Sequence, residues 1–156
     1  MMFAAMAMVF GMASCSDDDD DKVVDVAQTV SGLYQGQTVA DFAYAKGYKT
    51  EGEVDSVTVT KVSNTAVNIN YKSGTWGTAD FNNVAVTEND TAYVFTSNAA
   101  SKINMPDMHK GGVVNSYDAS LESGYVLKNG NRSKFQVKLN IPAVMGGLTL
   151  TFSPNT

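Results

Sequence analysis

The sequence predicts an all-β domain, an antiparallel barrel of about eight strands. Three observations predict it. Apolar and polar residues alternate with a period of two through most of the chain after residue 30, the pattern of strands with one buried and one wet face. Turn-forming residues interrupt the alternating runs at short intervals. Glycines such as Gly32, Gly36, Gly74, Gly77 and Gly124 gather at strand ends, where they suit the bends of a strongly curved sheet. Closing that sheet removes its edges. A barrel is favoured over an immunoglobulin-like sandwich, whose Cys-Trp-Cys spacing is absent.

The strands are expected at 31–44, 53–62, 65–73, 80–87, 91–97, 113–122, 134–141 and 147–153, with a further short one at 124–128. Val57-Thr58-Val59-Thr60 and Val67-Asn68-Ile69-Asn70-Tyr71 alternate about the Ser63-Asn64 turn. Glu88-Asn89-Asp90 separates Val84-Ala85-Val86-Thr87 from Thr91-Ala92-Tyr93-Val94-Phe95. Lys128-Asn129-Gly130-Asn131 contains an Asn-Gly pair, a strong hairpin signal. Phe135-Gln136-Val137-Lys138-Leu139-Asn140-Ile141 is the cleanest alternation, and Leu148-Thr149-Leu150-Thr151-Phe152 repeats it. The stretch 97–112 lacks alternation and reads as a long loop. No window of about 12 residues combines helical periodicity with a cap.

Ahead of the barrel lies a different kind of sequence. Residues 1–12 are almost wholly apolar, too short for a mature transmembrane helix, and match the core of a secretory signal. No Lys or Arg precedes them, so either a start codon further upstream or a shortened sequence is expected. The chain of 156 residues has a formal net charge of −5. Five of its 16 acids form the run 17–21, and the remaining 11 balance the 11 bases. The acidity therefore belongs to one short segment. Such a balance excludes a duplex nucleic acid partner, which needs clustered Lys and Arg. A single cysteine excludes an internal disulfide and a cysteine-rich zinc site.

Met12-Ala13-Ser14-Cys15 resembles a bacterial lipoprotein box, which implies cleavage before Cys15 and acylation of its thiol. Two or more acyl chains anchor a protein firmly. Ser16, Asp17, Asp18, Asp19, Asp20 and Asp21 then resemble the surface-export signal of Bacteroidota lipoproteins, which implies an outer-membrane lipoprotein exposed at the cell surface. Asp18 to Lys22 also spells an enterokinase site, but its position beside Cys15 favours the export reading. The expected organisation is a signal peptide at 1–14, a lipidated and acidic flexible tether at 15–29, and the barrel at 30–156.

Val30-Ser31-Gly32-Leu33-Tyr34-Gln35-Gly36 resembles the opening Gly-x-Tyr-x-Gly strand of the calycin-like, lipocalin-like barrel lipoproteins of Bacteroidota. Residues 55–71 resemble their second hairpin, and 141–152 their closing strand pair. The resemblance implies a calycin-like barrel that binds a small apolar molecule or a glycan fragment, or a solidly packed barrel with a structural or adhesive role.

The chemistry-bearing residues are few. His109, the one histidine, falls in a loop-like stretch without a Gly-x-Ser-x-Gly elbow or a second metal ligand, and reads as a solvent-exposed loop residue. Asp41, Glu51, Glu53, Asp55 and Asp80 are candidates for a catalytic carboxylate pair by residue type alone. Tyr44, Tyr48 and Trp76 are the candidate ligand-binding residues, since aromatic rings at a barrel mouth stack on sugars or cover apolar ligands. The alternative is that they plug the barrel end. The expectation is a binding or structural protein, not an enzyme, without metal or cofactor.

Overall fold

The computed structural model describes residues 24–96, 98–128 and 135–155. The leader, Cys15, the acidic residues 16–21 and the Asn129-Gly130 turn lie outside the described residues.

A five-residue helix, α1 (Val26–Val30), precedes ten strands: β1 (Gly32–Phe42), β2 (Ala45–Tyr48), β3 (Asp55–Ser63), β4 (Ala66–Ser73), β5 (Gly77–Glu88), β6 (Ala92–Phe95), β7 (Ala100–Pro106), β8 (Val114–Leu127), β9 (Phe135–Ile141) and β10 (Leu148–Pro154). All pairings are antiparallel, and β10 returns to pair with β1, closing the sheet. The result is an eight-stave barrel, because β6 and β7 share one stave between β5 and β8, while β2 folds back on β1 outside the ring. The shared stave is discontinuous. β5 pairs with β6 through Val86, Thr87 and Glu88 and with β7 through Thr78 and Ala79, so no ladder continues between those two sites.

The alternation is realised as buried and outward faces. In β9, Phe135, Val137, Leu139 and Ile141 are buried while Gln136, Lys138 and Asn140 are half-buried. Gly36 is required by closure itself: a Cβ there would lie 2.0 Å from the Ser153 carbonyl oxygen on β10. Gly77 is required where β5 meets β7, with φ +91 and the Asn104 oxygen 1.9 Å from any added Cβ.

Three differences from the sequence reading stand out. The stretch 97–112 is not one long loop, since β7 forms through Ala100–Pro106 with Ile103 and Met105 buried. The single run expected at 113–122 and the short one at 124–128 are one strand, β8, bulged between Leu121 and Ser123. The barrel domain starts before residue 30, because Val26, Ala27 and Val30 of α1 are buried in the core. Residues 26–29, which the sequence reading assigned to a flexible tether, belong to this helix. Asp25 caps the helix by accepting from the Gln28 N–H (3.0 Å), and its ion pair with Lys61, aided by that N–H, holds its carboxyl below the usual range. The Ala27 N–H donates to the Asn64 carbonyl in the β3–β4 turn (3.0 Å), which seats α1 across one barrel end.

Beneath α1 the lumen is filled with rings. Tyr34 stacks on Phe135 at 3.9 Å, and Phe95 and Phe152 each meet Phe135 edge-on at 6.0 Å. The Tyr34 hydroxyl donates to the Val30 carbonyl at the last turn of α1 (2.7 Å). Phe81, Ile69, Ile103, Leu121 and Leu139 continue the packing along the barrel axis, all fully buried. A core this dense stabilises through burial of aromatic and branched side chains.

Candidate functional site

The end opposite α1 is built differently. It collects the β2 hairpin, the loop before β3, the β4–β5 turn, the β7–β8 turn and the β9–β10 turn. Trp76, in the β4–β5 turn, is 2% exposed and closes the lumen there. Tyr48 covers it edge-on at 6.0 Å, whereas Tyr44 projects into solvent at 89% exposure. The structure thus brings together two of the three candidate aromatics, with Trp76 as a plug, and leaves Tyr44 apart.

Under Trp76 lies a polar network. Glu53 Oε1 accepts from the Ser73 hydroxyl (2.9 Å) and the Thr75 N–H (2.7 Å), and Oε2 accepts from the Thr75 hydroxyl. Ser73 in turn accepts from the Trp76 N–H (3.1 Å), so one carboxylate clamps the turn that carries the plug. Deeper in, Thr38 and Tyr71 share a hydrogen bond of 2.8 Å, and burial pushes the Tyr71 hydroxyl well above its ordinary pKa. Asp55 is 4% exposed, neighbours Thr38, Ser73 and Glu53, and leaves its Oδ1 without a hydrogen-bond partner. Burial, reinforced by Glu53, pushes its pKa up. Desolvation also acts on Glu53, but the donors of Thr75 and Ser73 outweigh it and lower its pKa to about 2.

Glu53 and Asp55 are therefore the one candidate carboxylate pair that the fold assembles. They are engaged in the network that clamps the turn carrying Trp76. The other acids are dispersed: Asp41 accepts from the Gly47 N–H (2.7 Å), Asp80 from the Asn70 amide, and Glu51 is exposed.

A cleft of about 300 Å³ opens beside this closure, where β9 stops at Ile141 and the first residues of β8 pair with β7 alone. Its lining includes Met105, Met108, His109, Asn115, Tyr117 and Met145. Asp107 organises the turn. Its Oδ1 accepts from the N–H groups of His109 (2.8 Å) and Lys110 (3.2 Å), and its Oδ2 from the Asn115 amide (3.2 Å). The His109 N–H is the main influence holding the Asp107 carboxyl below its usual range. On the facing turn Met145 adopts φ 51, a left-handed conformation rare for a long side chain, and its carbonyl accepts from the Ala43 N–H (3.4 Å). His109 is exposed, as the sequence suggests, but lies on an ordered turn facing a cleft. The sequence reading missed this cleft. The available signal was that Met105 and Met108 flank a histidine-bearing turn.

A wider hollow of about 620 Å³ lies on the outer wall over Gly124, bordered by Val94, Tyr125 and Leu127. These side chains sit on the strand face opposite the buried Val126, outside the lumen.

The sequence matches no known protein family and no curated protein. Its fold is similar to the crystal structure of a "putative outer membrane protein" of Bacteroides fragilis, with a TM-score of 0.60 and 23% sequence identity. The likeness covers 83% of this chain and 46% of that one, so this chain spans about half that protein's length. At this identity the similarity shows the barrel fold alone.

Proposed function

We propose that this protein is a lipid-anchored, surface-exposed lipoprotein of the calycin-like type, whose packed barrel supports a recognition face at the end opposite α1. It works by binding, not catalysis. The observation that carries this reading is the filled lumen: Tyr34, Phe81, Phe95, Phe135 and Phe152 occupy the space that a lumenal ligand would need. A small apolar molecule or glycan fragment held inside the barrel is accordingly disfavoured.

The position of α1 supports the orientation. Val24 leads into α1 at the plugged end, so a tether from Cys15 directs the opposite end away from the membrane. That end also carries Tyr44, Val54, Met108, Val114 and Met145, which are exposed large apolar side chains among the described residues. The likeness to the Bacteroides fragilis protein is consistent with an outer-membrane location.

Cys15→Ser is expected to move the protein from the membrane fraction to the soluble one, and retention would overturn the anchor. Replacing 17–21 with alanine is expected to protect the domain from protease on intact cells, and unchanged digestion would remove the export role. Native mass spectrometry of the Cys15→Ser protein is expected to show no bound organic molecule. A co-purified apolar ligand would overturn the packed-support reading.

A further inference from the structure

The chain has eight methionines, of which five lie within the first 12 residues, and a single histidine. The remaining three methionines, Met105, Met108 and Met145, and His109 all line the one cleft between the β7–β8 and β9–β10 turns. Every thioether and the only imidazole of the folded domain therefore face one volume of about 300 Å³, although the sequence separates Met145 from the others by all of β8 and β9.

Met105 belongs to the hydrophobic core, but the setting of Met108 and Met145 is not that of core filler. Met105 is buried at 5% exposure, but Met108 and Met145 are 55% and 42% exposed, at a hydrophobic cost that packing does not recover. The backbones that present them are held. Asp107 fixes the turn through Met108 and His109, the Asp107 N–H donates to the Val113 carbonyl (2.9 Å), and the Gly147 N–H donates to the Val144 carbonyl (2.9 Å) across Met145. The left-handed backbone of Met145 is an outlier of the kind that persists where surrounding structure enforces it.

Thioethers are neutral, soft and polarizable, and together with imidazole they select a soft d10 monovalent cation over the borderline and hard divalent ions. We propose that this cleft binds one Cu(I) ion, with Ag(I) as its redox-inert analogue. Met108, His109 and Met145 are the ligands, and Met105 is the soft donor at the floor. The Asp107 carboxylate supplies negative charge beside the cation without being needed as a ligand. The site lies on the folded domain and does not depend on the lipid anchor.

The test uses residues 15–156 carrying Cys15→Ser, so that neither a thiol nor the five leader methionines compete, with methionine methyl groups labelled for NMR and Ag(I) as the probe. One equivalent is expected to shift the Met105, Met108 and Met145 methyl signals together with the His109 ring protons. Met108→Leu and Met145→Leu conserve volume and are expected to keep the fold, read from the dispersion of the remaining signals. Each is expected to weaken Ag(I) binding at least about tenfold, and the double variant to abolish the coordinated shift. Zn(II) is expected to leave the methyl signals unmoved. The proposal is overturned if Ag(I) moves these signals independently, if the double variant binds as the parent does, or if Zn(II) produces the same shifts. A fluorescent apolar probe that moves the methyl signals where Ag(I) does not would overturn it in favour of an apolar site.

Discussion

The two ends of the barrel are closed by opposite chemistries. At the α1 end, apolar helix residues sit on a cluster of four rings, and the polar groups involved are mainly backbone donors and acceptors with partners in place. At the other end, Glu53 clamps the turn carrying Trp76 through Ser73 and Thr75, and the Asp55 Oδ1 beside this network has no partner. The difference separates two tasks. The first closure holds the fold through ring packing, with the Asp25–Lys61 pair as its charged contact at the surface. The second contains two carboxylates shifted in opposite directions, so its stability is expected to depend on pH.

The largest effect should come from the ring cluster. Phe135→Ala removes the side chain that Tyr34, Phe95 and Phe152 all touch, and is expected to lower unfolding free energy by about 3–5 kcal/mol in urea denaturation. A loss below about 1 kcal/mol would mean that the plugged end is not the dominant closure.

Asp55→Asn tests the Trp76 end, and its sign follows from the two pKa shifts. The raised pKa of Asp55 contributes stability that is full at pH below its ordinary value of 3.8 and fades as pH rises through the folded value. The lowered pKa of Glu53 contributes stability that is full above 4.5 and is lost as pH falls towards about 2. A neutral amide stands in for protonated Asp55 at every pH, so the variant keeps at pH 7 the contribution that the parent has lost there, while Glu53 loses a minor partner and keeps the donors of Thr75 and Ser73. The variant is therefore expected to be more stable than the parent at pH 7, by on the order of 1 kcal/mol, with the gap shrinking as pH falls towards 4. Thermal melts at the two pH values check this, and an equal gap at both would break the contrast between the ends.

The smallest effect belongs to the outward aromatic. Tyr44→Ala is expected to change stability by less than about 0.5 kcal/mol, because the side chain is almost wholly exposed. A larger loss would place Tyr44 in the closure with Tyr48 and Trp76.

How much of this was legible in the sequence varied with the range of the interaction. β9 and β10 were readable because their side chains alternate without interruption and both faces matter. β7 was not, since only Ile103 and Met105 point inward before Pro106 ends the pattern. α1 escaped because five residues are too few to show a helical period; its tertiary partners, Asn64 and Tyr34, hold it. Trp76 was legible as a mouth residue, but whether it plugs or presents a face depends on Ser73 and Thr75 of its own turn being clamped by Glu53, which arrives from the loop before β3. The cleft was legible in half. Met105, Met108 and His109 are neighbours in sequence, but Met145 joins them only because β8 outruns β9 and brings two turns face to face.

The divided stave between β5 and β8 gives the barrel a fault line. β1 to β5 form one continuous run of hairpin-linked neighbours (with β2 appended), β6 to β10 form the other, and the two meet along the interrupted β5 edge and along the β1–β10 ladder from Gly36 to Asp41. The molecule is thus two half-shells consecutive in sequence, and the join at the shared stave is the one with a break in its hydrogen bonding. An opening barrel is expected to part there first, like a book about the β1–β10 spine, which faster amide hydrogen exchange along the β5 edge than within either half would show.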